Sequence, residues 1–514
     1  MRLIRNCYYP IFLLFCKLLR CIVFSSDTDD PAHRRYSQVN VFLIEPSDDA
    51  ATLPTTGIAA ENLEPFSPPW NLSCLQAFLH KHTRHICHFM DARLMEDVEQ
   101  ALVKRISVIE PPRIVVVNAP LRGLGNVVAI LDIVKRHFPA IRTVLCGEFP
   151  SSFPEQISVM PRVDFALSGD AEPILRNLLD YIDIPQRLRR TPGLYGAGAE
   201  PTRPYWLPRL HGLPSPDWNQ SFWTDYKTGI GHGTYRASIR LSRGHSGTRE
   251  DRAFGEVGQP LRMYPLEAMS QFLVRTAQTP IREVLLTDPP GFWNEAVLAD
   301  WIYQLLRTRN SQPWGLTMFP HSHHDSLIAD LRETQCRRVD ILFPSCDREI
   351  LERYNVRIDW RGLHETIESM QDCGIQVNPR FWVGSPEEPR REGQRIAQVI
   401  RRLRLHEYRV EPFPYIIDSA FYREHQADHP QTATLQDWLD WARSPWNKER
   451  PIQLWEAEDG LERIKDSIRA LQKDLHKSPY ILWTRFQRTV LNQNWVMAAE
   501  DRALHWLQAL KRAK

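Results

Sequence analysis

The chain has 514 residues, room for about three domains, with 43% hydrophobic and 25% charged residues, the balance of an ordinary globular protein. Lys and Arg number 64 against 62 Asp and Glu, a net charge of +2, so no basic excess points to nucleic acid, and no RNA- or DNA-binding motif is present. The nine cysteines include no C-x-x-C pair, which argues against a disulfide framework or zinc finger and for small buried thiols in a reducing cytoplasm.

Residues 1–37 stand apart from the globular pattern. Arg2, Arg5, Lys17 and Arg20 surround the apolar run Cys7 to Cys16, which is too short to span a bilayer, for which ~20 apolar residues are needed. No small-x-small cleavage site follows, so residues 1–24 read as a weak peripheral membrane contact or as an over-long start, and 25–36 as a polar, unstructured segment.

Over residues 38–185 strand and helix patterns alternate. Predicted strands are 39–44, 85–90, 114–117, 143–146 and 164–168, with helices over 72–80, 95–106 and 126–137. Apolar strands with intervening helices predict a doubly wound, Rossmann-like (flavodoxin-like) parallel sheet whose ligands lie outside the strand carboxyl ends. In the loops that follow those strands, Glu45, Pro46, Ser47, Asn118, Ala119, Pro120, Gly147, Glu148, Ser151, Gly169, Asp170 and Glu172 are the candidate binding residues. His80, His82, His85 and His88 suggest packing or surface roles rather than a metal site, because His85 and His88 point to opposite faces of a strand.

Residues 186–233, rich in Pro, Arg and Trp, read as a linker. From 234 to 425 the alternation resumes with a longer period. Strands are predicted over 235–241, 284–287, 314–319, 338–343 and 375–383, and helices over 295–307, 325–334 and 361–372, the last ended by Gly374 at its C′ position. This predicts a partial β/α (TIM-like) barrel with its site at the strand carboxyl ends. Residues 426–514 read as helices in which Leu461, Ile464, Ile468 and Leu471 recur at packing spacing among several tryptophans.

The loop after the 235–241 strand reads Ser242-Arg243-Gly244-His245-Ser246-Gly247-Thr248-Arg249-Glu250-Asp251-Arg252. The Ser-Arg-Gly lead-in and its placement resemble the cluster loop of radical S-adenosylmethionine (SAM) enzymes. There, Cys-x-x-x-Cys-x-x-Cys supplies three thiolates to a [4Fe-4S] cluster whose open iron binds SAM. Here those positions are His245, Arg249 and Arg252. Arginine stays protonated and has no lone pair to donate, so at best His245 supplies one ligand of three. The expectation is that this loop holds no SAM-cleaving cluster.

Residues 38–185 resemble the cobalamin (B12)-binding domain that precedes the barrel in many radical SAM proteins. The marks are Pro68-Pro69-Trp70-Asn71-Leu72, the Gly147–Ser151 loop and the Gly169–Glu172 turn, with Leu213-Pro214-Ser215-Pro216-Asp217-Trp218 resembling the family's interdomain segment. The Asp-x-His-x-x-Gly motif that gives cobalt a histidine is absent, and Glu148 replaces a glycine in a loop that approaches the corrin. In the barrel, Asp288-Pro289-Pro290-Gly291-Phe292-Trp293-Asn294, Pro344-Ser345-Cys346-Asp347 and Gly384-Ser385-Pro386-Glu387-Glu388-Pro389 resemble family segments with several acidic positions changed.

The resemblance implies a cytoplasmic, cobalamin-binding, radical-SAM-like pseudoenzyme that has lost cluster and SAM. It would serve as an accessory, sensor or scaffold beside an active radical SAM relative. Rival readings are an enzyme using cobalamin-borne methyl transfer or metal chemistry at the barrel mouth, with His245, His321, His323 and His324 as candidate ligands or acid/base groups, and a binding protein with neither cofactor. For Arg243, Arg249 and Arg252, two roles are open: binding a carboxylate or phosphate, or pairing internally with Glu250, Asp251 or other acids. Cys346 has no neighbour in sequence that would activate its thiol.

Overall fold

The run Ile-Val-Val-Val at 114–117 is apolar on both alternating faces, a pattern that suits a strand covered on both sides. It forms most of β3 (Ile114–Asn118), in the interior of a six-stranded sheet. On one side lie β1 (Asn40–Glu45) and then β2 (Ile86–Asp91); on the other, β4 (Arg142–Cys146) and β5 (Phe165–Leu167). These five pair in parallel, and β6 (Leu194–Tyr195) adds to β5 antiparallel. The order β2-β1-β3-β4-β5-β6 is the doubly wound arrangement expected, with one extra edge strand.

The structure is a computed structural model and describes residues 38–47, 67–110, 114–120, 123–158, 160, 162–196, 203–216, 218, 235–244, 260–383, 385, 387–388, 391–405, 408–412 and 469–471. The chain divides into Met1–Val39 and Asn40–Lys514, and both of its large sheets belong to the second unit. The expected segment 1–37, and the expected helical tail apart from 469–471, lie outside the described residues, as do His245, Arg249 and Arg252. Among the described residues no helix is long and apolar enough to cross a membrane.

The second sheet begins at β7 (Tyr235–Ile239), after which β8 (Ser242–Arg243) and β9 (Arg262–Met263) form a small antiparallel ribbon. It continues through β10 (Ile281–Leu286), β11 (Trp314–Met318), β12 (Cys336–Phe343), β13 (Gln376–Val383) and β14 (Arg409–Pro412). All six main strands are parallel in the order β14-β13-β12-β11-β10-β7, an open half-barrel.

Helix ends follow local chemistry. Asp97 accepts from the Gln100 N–H at 2.9 Å to cap Val98–Ser107, and Asn294 accepts from the Val297 N–H at 3.0 Å to cap Glu295–Thr308. Gly374, at φ +73°, ends Trp360–Asp372: its N–H donates to Gln371 O at 2.9 Å, while that of Ile375 donates to Met370 O at 2.9 Å. This double closure matches the C′ glycine expected.

Three local expectations change. The segment 147–151, expected as a loop, contains the helical turn Glu148–Ser152; Pro150 sits in its first turn, where a backbone N–H has no helical partner to lose. The predicted strand 235–241 stops at Ile239, because Leu241 and Ser242 turn their N–H groups to a buried carboxylate. Leu194–Tyr195, inside the segment expected as linker, belongs to the first sheet; two residues are too few for periodicity to reveal.

The sheets share a core. Phe319, Leu342 and Trp382 from the half-barrel side are buried in one cluster with Phe42, Ile44 and Val115 of the first sheet. Trp70, at the start of helix Trp70–His82, meets Trp218, Tyr264 and Phe272 edge-on, with centroids 5.9, 6.2 and 5.7 Å away. The parallel strand ends of the first sheet are thereby held against the inner face of the half-barrel.

Candidate functional site

A cavity of about 650 Å³ lies where the two sheets meet. Of the twelve residues selected from sequence, Asn118, Pro120, Gly147, Glu148, Ser151, Gly169, Asp170 and Glu172 line it. Glu45, Pro46, Ser47 and Ala119 do not, and three of them have visible supporting roles: the Ser47 carbonyl accepts from the Asn126 amide at 2.9 Å. Glu45, the last residue of β1, accepts both contacts of the Asn118 amide at 3.1 and 3.0 Å. The Ala119 N–H donates to Cys146 O at 2.8 Å and its carbonyl accepts from the Phe149 N–H at 3.2 Å, joining the ends of β3 and β4.

Two glycines set the floor of the cavity. Gly147 has φ +104°, and a Cβ there would lie 2.4 Å from Asn118 Oδ1; Gly169 has φ +110°, and a Cβ would lie 2.1 Å from Tyr205 O. Both conformations favour glycine over any residue with a side chain. Ser151 links them: its hydroxyl donates to Gly147 O at 2.8 Å and accepts from the Gly169 N–H at 3.1 Å.

From the half-barrel come Ser242, Arg243 and Gly244, the lead-in to the loop singled out in the sequence. The Arg243 guanidinium is buried and donates to Glu172 at 2.6 and 3.0 Å and to Asp170 at 3.1 Å, lying 5.7 Å over the Tyr264 ring. Asp170 also takes Arg262 and the Leu207 N–H, the latter at 2.7 Å. Of the two roles open for Arg243, internal pairing is the one present, through Asp170 and Glu172 rather than Glu250 or Asp251. Two carboxylates selected as cofactor-binding therefore line the cavity while serving chiefly to hold this loop. Burial pushes the nearby Cys74 thiol up to about 12, which keeps it protonated.

Asp288, just beyond β10, is the second anchor. Its carboxylate accepts from the Leu241 N–H at 3.0 and 2.9 Å, the Ser242 N–H at 2.8 Å and the Ser242 hydroxyl at 2.6 Å. Burial raises it from 3.8 to about 6, against the lowering effect of those bonds and of Arg240. Leu285, Thr287, Thr317, Leu342, Arg380 and Trp382 add to the inner face beside Arg240, Pro289 and Pro290. Sequence reasoning missed these six; the signal was their position near the ends of parallel strands, visible only once those strands are counted as a half-barrel.

The histidine reading gains no support. His323 donates its backbone N–H to Thr366 Oγ1 at 2.9 Å, and burial, with His321 and His324 adding, lowers its imidazole to about 4. None of these three lines the cavity. Among the described residues no group of three or more His, Cys, Asp or Glu can hold a metal ion. His85 is buried 3.5 Å from Asp180, and His88 meets Asn40 at 3.3 Å, in keeping with packing roles. The Cys346 thiol is pushed up by burial, with Glu392 adding to the effect, the opposite of activation.

No family model matches the sequence, and no curated protein matches it. Solved structures do. The radical S-adenosylmethionine methyltransferase TsrM from Kitasatospora setae, with cobalamin and a [4Fe-4S] cluster bound, superposes with a TM-score of 0.62 at 15% identity, covering 86% of this chain and 92% of that one. The cobalamin-dependent S-adenosylmethionine radical enzyme OxsB, with aqua-cobalamin and S-adenosylmethionine bound, gives 0.57 at 13%, covering 80% and 64%. At these identities the likeness is one of fold: a mixed α/β chain with parallel sheets and a half-barrel, shared with cobalamin-dependent radical SAM enzymes.

Proposed function

We propose that this chain binds cobalamin, or a closely related corrinoid, between its first sheet and its half-barrel, and that it does so without a SAM-cleaving cluster. The observation that carries the reading is the cavity itself, lined jointly by the strand ends of the first sheet and by the half-barrel, in a fold shared with two cobalamin-bound structures. The residues fit a flat macrocycle. Gly147 and Gly169 keep side chains off the floor, Asn118 and Ser151 offer polar groups, and Pro120 adds an apolar contact. The contacts that the described lining offers a corrinoid are those of these loops, and no histidine is among them. When bound, cobalamin supplies a cobalt centre able to carry a methyl group.

The donor set His245, Arg249 and Arg252 does not suit a [4Fe-4S] cluster, which is why an accessory, sensor or scaffold role beside an active relative is proposed. A second reading, methyl transfer from cobalamin without SAM cleavage, is favoured by one feature: Leu285, Leu342 and Trp382 give the cavity an apolar lining suited to a substrate.

Metal analysis after anaerobic reconstitution with hydroxocobalamin, iron and sulfide tests the proposal. The expected result is about one cobalt per chain and no stoichiometric iron; about four irons, together with SAM-dependent 5′-deoxyadenosine, would overturn the cluster-free reading. Chain with neither metal would remove the cobalamin assignment.

A further inference from the structure

We propose that Arg240 is the anchor for the carboxylate of a small organic ligand whose apolar body lies along Leu285, Leu342 and Trp382. This deepens the reading of the cavity as a binding chamber and rests on it for the corrinoid that would share the space.

Three arginines line the cavity: Arg240, Arg243 and Arg380. Arg243 is neutralised by Glu172 and Asp170. Arg380 is held by Glu411 through contacts of 2.7, 3.0 and 3.1 Å, with Asp340 at 3.8 Å. Arg240 has no hydrogen bond and no ion pair among the described residues. Its field reaches Asp288, but both carboxylate oxygens there are already engaged by Leu241 and Ser242. An exposed guanidinium that cannot lose its charge, set on a cavity wall with no anion of its own, is a binding site for an anion supplied by the ligand.

The rest of the wall narrows the class. Leu285, Leu342 and Trp382 are buried apolar side chains on β10, β12 and β13. They suit an aliphatic or aromatic body. One free planar fork matches one carboxylate in a bidentate pair; a phosphate dianion would call for further cations or backbone donors beside it. The carboxylate can belong to a substrate or to the methionyl end of SAM, and the test separates the two.

The full chain, prepared with and without hydroxocobalamin, is titrated with 3-phenylpropionate and with 3-phenylpropanamide, followed by saturation-transfer NMR and equilibrium dialysis. The acid is expected to bind roughly 10-fold or more tightly than the amide, the worth of one charge-assisted pair. Arg240→Gln should abolish that preference and Arg240→Lys retain part of it; both variants stay folded, and the unfolding midpoint of Arg240→Gln falls only as far as Asp288 loses a neighbouring positive charge. A preference that survives Arg240→Gln, or no Arg240-dependent preference either for the acid over the amide or for SAM over decarboxylated SAM, overturns the proposal. A parallel titration with SAM and decarboxylated SAM assigns the source. If SAM alone shows the Arg240-dependent preference, the carboxylate is the cofactor's; if phenylpropionate shows it and SAM does not, the carboxylate is a substrate's. Cobalamin uptake is read separately from its visible absorbance. A chain that takes no cobalamin but discriminates acid from amide through Arg240 keeps the anchor and loses the cobalamin reading; one that takes cobalamin without discriminating does the reverse.

Discussion

The two mouths that face each other across the cavity are built by different means. On the first sheet the loops are shaped by backbone: Gly147 and Gly169 at positive φ, tied by Ser151, with side chains excluded at 2.4 and 2.1 Å. On the half-barrel side, buried carboxylates are engaged by neighbouring donors. Asp288 is filled by Leu241 and Ser242; Asp340 is held below the usual carboxylate range because Arg338, Arg380 and Asn378 outweigh its burial; Glu392 accepts from Ser345 at 2.8 Å and the Cys346 N–H at 2.5 Å. One mouth is kept hollow and the other closed by its own polar groups. A ligand therefore meets shape on one side and, at Arg240, a single open charge on the other.

The sharpest way to break this contrast is at the joint where the two mouths meet. Arg243→Met leaves Glu172, and one partner contact of Asp170, buried without compensation. Removing one member of a buried pair typically costs about 3–5 kcal/mol, so urea denaturation should register a loss of that order. Adding Glu172→Gln should restore part of it, because the orphaned charge goes too. A single variant as stable as the parent would mean that the loop is held from elsewhere and that the pairing is incidental.

The glycine mouth is tested next. Gly169→Ala places a methyl 2.1 Å from Tyr205 O in a left-handed backbone, and a loss of about 2–4 kcal/mol is expected from strain and displacement together. Gly212→Ala, where a Cβ would meet nothing within 4 Å, is the matched control and should be neutral or a few tenths of a kcal/mol more stable. Cobalamin uptake by Gly147→Ala should fall relative to that control, since the floor then pushes Asn118 out of place. If Gly169→Ala and Gly212→Ala behave alike, backbone shape is not what sets this mouth.

Much of this was legible from residues and some was not. Ile114 to Val117 announces a buried parallel strand through unbroken apolarity, and the Gly-led turns at 147 and 169 mark where β4 and β5 release the chain. β14 (Arg-Val-Glu-Pro) carries too little pattern to be seen, and Leu194–Tyr195 is too short. The pairing of Arg243 with Glu172 spans 71 residues of sequence and two sheets, and no local rule reaches that far. For the same reason Asp170 and Glu172 could be placed at the cavity from their turn alone, while the partner of their charges could not. Arg240, too, gains its meaning only by elimination, once the neighbouring arginines are seen to be paired.

The smallest expected effect bears on Asp288 and has a definite sign. Burial raises this carboxyl to about 6, above the value of about 4 it would have unfolded. Between those values the folded chain binds more protons than the unfolded one, so its contribution to stability grows as pH falls from 7 toward 4 and fades as pH rises through 6. Asp288→Asn removes the titration; it also presents an amide N–H₂ to the Leu241 and Ser242 N–H donors and should be less stable throughout. The stability difference between parent and variant is therefore expected to widen by about 1 kcal/mol between pH 7 and pH 5. The penalty of Gly169→Ala, which involves no proton, should stay level over the same interval. A Gly169→Ala penalty that followed pH as Asp288→Asn does would show the two mouths responding as one unit through Arg243, and the division between a shaped mouth and a charged one would have to be given up.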